Sequence, residues 1–320
     1  MGNRVRVFQV DAFTAQRFSG NPAGVVLDAD ALSDADMQAL ARELNNGDSA
    51  FLLRPDADDH DLRVRFFTPR REAAFVGHAT LAAHAVLASL QLPARRRQKQ
   101  SSGIVEVEVI GAAAAPRIAL HLPPPPPPRA IGERELAAVL EALALTGAEL
   151  DAQCPPVLAG NGSGARLLLG IEHGATLARL APEPARLAQL SADTGAPGYF
   201  LFSRRPSLAG VDTEARMFCP ALGIPEDPVS GNAHALLGAY LLQRRLLIPP
   251  PAATAPATAT RAGAARAGAA RAIVGFTGAQ GHHMGRAGCV TVALQLQGER
   301  LESVSIAGDA VVVFDTTLEF

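Results

Sequence analysis

Arg65-Phe66-Phe67-Thr68-Pro69, followed eight positions later by Gly77-His78-Ala79, and Arg216-Met217-Phe218-Cys219-Pro220, followed eleven positions later by Gly231-Asn232-Ala233, read as two copies of one pattern. Each is an R-x-F-x-P strand end, a loop, a glycine followed by a polar residue and alanine, and then an apolar helix. The segment Gly77 to Leu90 is apolar almost throughout, and so is the one from Ala233 to Leu242. A helix that is apolar all round belongs in a protein interior. The recurrence of the same elements in the same order points to an internal duplication with one buried helix in each copy.

Around these copies the pattern is mostly β. Arg4 to Val10, Gly24 to Leu27, Ser49 to Leu53, Leu62 to Phe67, Ile104 to Val109 and Arg117 to Leu122 alternate or are β-branched, as strands are. Ser33 to Leu44 has an N-cap signature, Ser33 with Asp36 three residues on, and Met37, Leu40, Ala41 and Leu44 at helical spacing. Strands outnumber helices and do not alternate with them one for one, so the fold class is α+β, not a doubly wound parallel sheet. Six consecutive prolines, Pro123 to Pro128, read as a stiff extended linker. The expected division is residues 1–122 plus about 305–320 as a first domain and 129–304 as a second. The stretch 248–271, rich in Ala, Thr, Pro and Gly, reads as a low-complexity surface insertion.

Composition narrows the chemistry. Of 320 residues, 48% are apolar and 19% charged, which suits a globular chain with a sizeable core. Lys99 is the only lysine, and it lies in the polar run Arg95 to Gln100, which reads as an exposed loop. A buried Schiff-base lysine is therefore not expected, and neither a P-loop nor a kinase-type strand lysine is present. Cys154, Cys219 and Cys289 are scattered, with no C-x-x-C, so neither a disulfide scaffold nor a zinc ribbon is indicated. A net charge of −2 implies no basic face for nucleic acid. The N-terminal residues have no apolar signal-peptide core and no run is long enough to span a membrane, so a cytoplasmic location is the default expectation.

A glycine at the start of a helix lets backbone N–H groups approach a ligand. Those N–H groups have no partner within the helix, and the helix dipole favours an anion there. Two such ends facing one cleft would suit a small carboxylate. The alternative is that Gly77 and Gly231 merely permit tight turns into core helices. Ionisable residues stand near both glycines: His78, Asp227 and, before the strand Ser49 to Leu53, Asp48. Each can move a proton if burial tunes it. Each also has a plain structural reading, as a helix-cap side chain, a helix N-terminal acid and a turn aspartate respectively. Gly160-Asn161-Gly162-Ser163-Gly164 lacks the last glycine of a dinucleotide fingerprint and precedes a strand (Arg166 to Leu169), so it is a loop. His282-His283 has no third ligand at metal spacing and reads as exposed loop histidines. No G-x-S-x-G is present.

Taken in order, Asp11-Ala12-Phe13-Thr14, Phe18-Ser19-Gly20-Asn21-Pro22-Ala23-Gly24-Val25, Phe67-Thr68-Pro69, Gly77-His78-Ala79-Thr80-Leu81-Ala82, Glu226 to His234, and Gln280-Gly281 with Gly285-Arg286-Ala287-Gly288 resemble the phenazine-biosynthesis PhzF-like family from residue 5 to about 320. The resemblance implies a diaminopimelate epimerase-like fold of two related domains, each a sheet around a central helix, with the site between them. It also implies a cofactor-free, metal-free isomerase that shifts a proton on a small anionic substrate, and a homodimer. In that reading Asn21, Gly77, His78, Gly231 and Asn232 hold the substrate, and Asp48, His78 and Asp227 carry the catalysis. Racemases of this fold use two cysteines directly before the glycines; here those positions are Val76 and Ser230. The family's catalytic glutamate falls where this chain has Asp48, one methylene shorter. The usual serine or threonine after the second glycine is Asn232. A displacement of about 1 Å can cost ~10²-fold in rate. The shorter acid therefore leaves open a protein that binds without catalysis, and a lyase or hydrolase on a similar acid is a third reading.

Overall fold

A computed structural model describes residues 4–93, 95–110, 116–247 and 271–319. Its strands are β1 (Arg4–Ala12), β2 (Asn21–Leu27), β3 (Asp48–Leu53), β4 (Leu62–Phe67), β5 (Glu72–Ala73), β6 (Arg95–Gln100), β7 (Gly103–Ile110), β8 (Arg117–Leu122), β9 (Arg129–Ala130), β10 (Val157–Ala159), β11 (Arg166–Gly170), β12 (Tyr199–Ser203), β13 (Thr213–Cys219), β14 (Ile224–Asp227), β15 (Arg271–Gln280), β16 (Gly288–Gln297) and β17 (Arg300–Glu319). The helices are α1 (Asp34–Leu44), α2 (Gly77–Ser89), α3 (Glu133–Ala142), α4 (Gly174–Ala178), α5 (Pro184–Thr194) and α6 (Gly231–Gln243).

The strand pairings repeat. β1 is antiparallel to β2, β2 parallel to β3, β3 antiparallel to β4, β4 antiparallel to β5 and parallel to β6, and β6, β7 and β8 form a meander. β10 to β17 follow the same order with the same senses. β8 and β17 then pair antiparallel and join the two copies, while β17 runs on from Ala310 to Glu319 along β1. The duplication read in the sequence is thus present as topology, and the class is α+β.

Helix sequence dictates helix place. α2 and α6 are apolar on every side, and each runs through the inner core with the inward residues of the strands around it. α1, α3 and α5 each bury one stripe and lie outside the sheets, over separate outer cores. Ser33 caps α1: its hydroxyl accepts from Asp36 N at 3.2 Å, and the Asp36 carboxylate accepts from Ser33 N at 3.0 Å. That reciprocal cap satisfies two otherwise orphaned donors.

Three local readings change. β2 begins at Asn21, not Gly24. Arg95–Gln100 is a strand, not a loop: it pairs with β7 and β4 through its backbone, buries Gln98 and Gln100, and leaves Lys99 bound to Asp56 at 2.8 Å. Asp227 ends a strand instead of opening a helix. Pro123 to Pro128 lie between β8 and β9 in neither helix nor strand. The 248–271 insertion lies outside the described residues except for Arg271, which opens β15.

Candidate active site

The two central helices start close together. A Cβ on Gly77 would stand 3.7 Å from Ile306 Cδ1, and one on Gly231 would stand 2.5 Å from the same atom. One isoleucine of β17 therefore separates the two helix N-termini. The cap of α2, Val76, offers no side-chain acceptor to the first turn, whereas Ser230 Oγ accepts from Ala233 N at 3.3 Å in α6. The α2 N-terminus is the less satisfied of the two, and its free N–H groups suit an anion.

Asp48 opens β3 on the face that meets α2. Its neighbours on that face, Ala23 and Ala50, belong to the inner core, whereas Phe51 and Leu53 face the outer one. The His78 side chain, one residue into α2, brings Nε2 to 3.8 Å from Asp48 Oδ2. That is too long for a hydrogen bond. Burial lowers the His78 pKa to about 4, so the imidazole is neutral at pH 7 and its Nε2 has no partner. Burial raises the Asp48 carboxyl well above its ordinary range, and the charge of Asp227 raises it further. The neighbouring Ser49 Oγ is also buried without a partner.

Asp227 comes from the other copy. Burial pushes its pKa up to about 6; the Arg166 charge and the Asn21 hydrogen bond pull it down, and Glu226 adds to the rise. Asn21 Nδ2 donates to Asp227 Oδ1 and to Val229 O, both at 2.8 Å. Both amide hydrogens of Asn21 are therefore engaged across the two copies, leaving only Oδ1, an acceptor, for any ligand. Gln280 holds the same turn from behind: its Nε2 donates to Asp227 O at 2.6 Å, and its Oε1 accepts from Ser230 N at 3.1 Å. Arg286 binds Asp11 at 2.6 Å and the carbonyls of Ser19 and Gly20 at 3.0 and 2.9 Å, fixing the loop that leads into Asn21.

The register shows how the copies diverge. Ser49 pairs with Phe67 as Tyr199 pairs with Phe218, so Asp48 corresponds to Gly198. Phe66 pairs with Ala73 as Met217 pairs with Asp227, so Asp227 corresponds to Ala73. His78 corresponds to Asn232, whose Nδ2 donates to Gly164 O at 2.9 Å. Each copy contributes one acid that the other lacks, and the charge of Asp227 acts on Asp48.

A cavity of about 220 Å³ adjoins Asn232 and Gly164, walled by Phe75, Leu122, Leu236 and the first prolines of the linker. Asp48, His78 and Asp227 are not part of its wall. Gly160, Asn161 and Gly164 of the glycine-rich loop face Pro123 to Pro126 of the linker across it, a meeting that neither segment's local sequence announces. His282 and His283 are exposed, as expected, and His283 Nε2 lies 3.3 Å from the buried Glu214 carboxylate. Among the described residues, no three His, Cys, Asp or Glu side chains are grouped to hold a metal ion, and no helix is long and apolar enough to cross a membrane.

The profile of the family described as "Phenazine biosynthesis-like protein" matches residues 10–316. The chain belongs to that family. An uncharacterized isomerase of Salmonella typhimurium, YddE, is 36% identical over 97% of this chain and 96% of its own length. A crystal structure of a PhzF-family phenazine biosynthesis protein from Bacillus anthracis superposes with a TM-score of 0.78 at 26% identity, covering 99% of both chains. A hydroxyproline epimerase from Agrobacterium vitis has a TM-score of 0.58 at 14% identity over 99% of this chain and 91% of its own, which makes the fold epimerase-like.

Proposed function

We propose that this phenazine biosynthesis-like protein is a cofactor-independent isomerase that moves a proton between two carbons of a small carboxylic acid. The observation that carries the reading is the buried pair of acids from opposite copies, with a neutral His78 beside Asp48. A carboxyl whose pKa is raised toward neutrality serves as acid or base near pH 7, because both protonation states are within reach. Asp48, ionised, takes the proton from a carbon next to the substrate's carboxylate or conjugated with it. The C–H electron pair moves into the substrate as an enolate. Asp48 then returns the proton to another carbon, so no co-reactant is consumed. The negative charge that develops faces the N-terminus of α2, whose first N–H groups no side chain caps. Asp227 keeps the Asp48 proton available by repelling its charge, and His78 Nε2, without a protein partner, is free to contact the substrate.

The names of the relatives support an isomerase, the family resemblance implies a homodimer, and a cytoplasmic location is part of the same proposal. The test is deuterium incorporation. A panel of small amino, hydroxy and unsaturated carboxylic acids is incubated with the protein in heavy water and read by mass and NMR spectra. The expected result is an isomer carrying deuterium from one acid of the panel, with the rate reduced at least about 10²-fold in Asp48→Asn. An acid that binds but never exchanges favours a binding protein, and a cleaved product favours a lyase or hydrolase; either outcome overturns the proposal.

A further inference from the structure

Arg166 opens β11 and is 8% exposed. The register makes it the counterpart of Ala23, the residue paired with Asp48 in the first copy. It lies on the inner face: Leu168, two residues on, packs in the inner core, whereas Leu167 and Leu169 pack in the outer one. Its stem crosses the backbone at Gly198, where a Cβ would meet Arg166 Cδ at 2.8 Å and Cys219 Sγ at 2.7 Å. Gly198 is the counterpart of Asp48. Where the first copy projects a carboxylate, the second lays a guanidinium.

That guanidinium is only partly satisfied. Its Nη1 donates to Ser163 O at 2.8 Å and Ala165 O at 2.7 Å, while the buried Nε has no partner. Among the described residues no carboxylate lies within 4.0 Å of it; Asp227 feels its charge but is held by Asn21. The carbonyl between its two acceptors, Gly164 O, is bound by Asn232 on the first turn of α6. Arg166, Asn232 and the start of α6 thus gather at one place. A buried cation is costly without a paired counter-charge, and the one carboxylate shown to feel this charge, Asp227, makes no ion pair with it.

We propose that Arg166 is the residue that binds the substrate's carboxylate, at the second-copy side of the cleft. Guanidinium is suited to this because it offers two parallel N–H donors to a planar carboxylate. Asp48 and His78 then face the reacting carbon from the first-copy side. The division of labour follows from the pseudo-symmetry: the Arg166 stem crosses Gly198, the place that corresponds to Asp48, so one copy holds an anion where the other moves a proton. The proton-moving half rests on the function proposed above; the anion-binding half does not.

The test uses propionate and its uncharged counterpart propionamide, titrated into the full-length protein and followed by NMR. Propionate should bind at least about tenfold more tightly, shifting the amide signals of Gly231 and Asn232 and the Nε–H signal of Arg166. Arg166→Met should lose the preference for propionate, Arg166→Lys should keep part of it, and Asp48→Asn should keep or strengthen it. Equal binding of the two probes to the wild type, or a preference that survives in Arg166→Met, overturns the assignment. If Arg166→Met does not fold, the wild-type Nε–H signal decides: no response to propionate overturns it too. Loss of deuterium exchange in Asp48→Asn with the preference intact would leave the two proposals separately judged.

Discussion

Asp227→Asn should make the protein more stable and more slowly catalytic, and the stability gain should depend on pH. The native carboxyl ionises at about 6, against 3.8 as its ordinary value. Because the folded state holds the proton more tightly, ionisation opposes folding. Below about pH 4 both states are protonated and the group contributes nothing. Between about pH 4 and 6 the unfolded chain gives up the proton first, and stability falls as pH rises. Above about pH 6 the full cost stands. A difference of about two pKa units at 1.36 kcal/mol each makes that cost about 3 kcal/mol. Asparagine keeps the Oδ1 acceptor for Asn21 and removes the charge, but its new amide hydrogens need partners. The net gain at neutral pH is therefore about 1–3 kcal/mol, vanishing near pH 4. Urea unfolding of wild type and variant between about pH 4 and pH 8, with equal m-values, measures it. A gain that does not change with pH, or a variant less stable at pH 7, would refute the argument that Asp227 is kept ionised against its surroundings.

Other consequences can be checked alongside. Gly231→Ala should cost about 1–3 kcal/mol, since its methyl would stand 2.5 Å from Ile306 Cδ1 and 2.9 Å from Phe13 Cζ. Gly77→Ala, with only a 3.7 Å contact, should leave the thermal midpoint nearly unchanged. Asn21→Ala removes two hydrogen bonds on a buried turn and should cost about 1–3 kcal/mol while raising the Asp227 pKa, visible in the same urea series and by carboxyl NMR. Burial lowers the His84 pKa to about 4 despite the hydrogen bond that its Nε2 donates to Gln98 Oε1. The neutral imidazole is the folded form, so its contribution is present above about pH 6.5 and lost as pH falls toward 4; His84→Gln should flatten acid unfolding over that window.

The architecture was legible because it is written twice. R-x-F-x-P, glycine and an all-apolar helix recur, and the apolar circumference of α2 and α6 already required a surrounding sheet. Local charge misleads where backbone pairing governs: Arg95–Gln100 looks solvated, yet alternation buries Gln98 and Gln100 while Arg97, next to Gln98, stays outside. Proximity in sequence could place His78 and Asn232 on first turns, but it could not lift Asp48 out of its turn-aspartate reading. Its burial depends on β2 pairing with β3 and on Asp227, 179 residues away, arriving from the other copy. Nothing local marks Arg166: the loop before it reads only as an incomplete dinucleotide fingerprint. Laying one copy's strand register on the other puts Arg166 beside Gly198, the counterpart of Asp48.

The two half-sites together raise the Asp48 carboxyl well above the ordinary aspartate range. Carboxyl carbon-13 NMR of the wild type and of Asp227→Asn tests it directly. Asp48 should titrate well above the ordinary aspartate range in the wild type and move down when the Asp227 charge is removed. An Asp48 that titrates near 4 in both proteins would contradict the account.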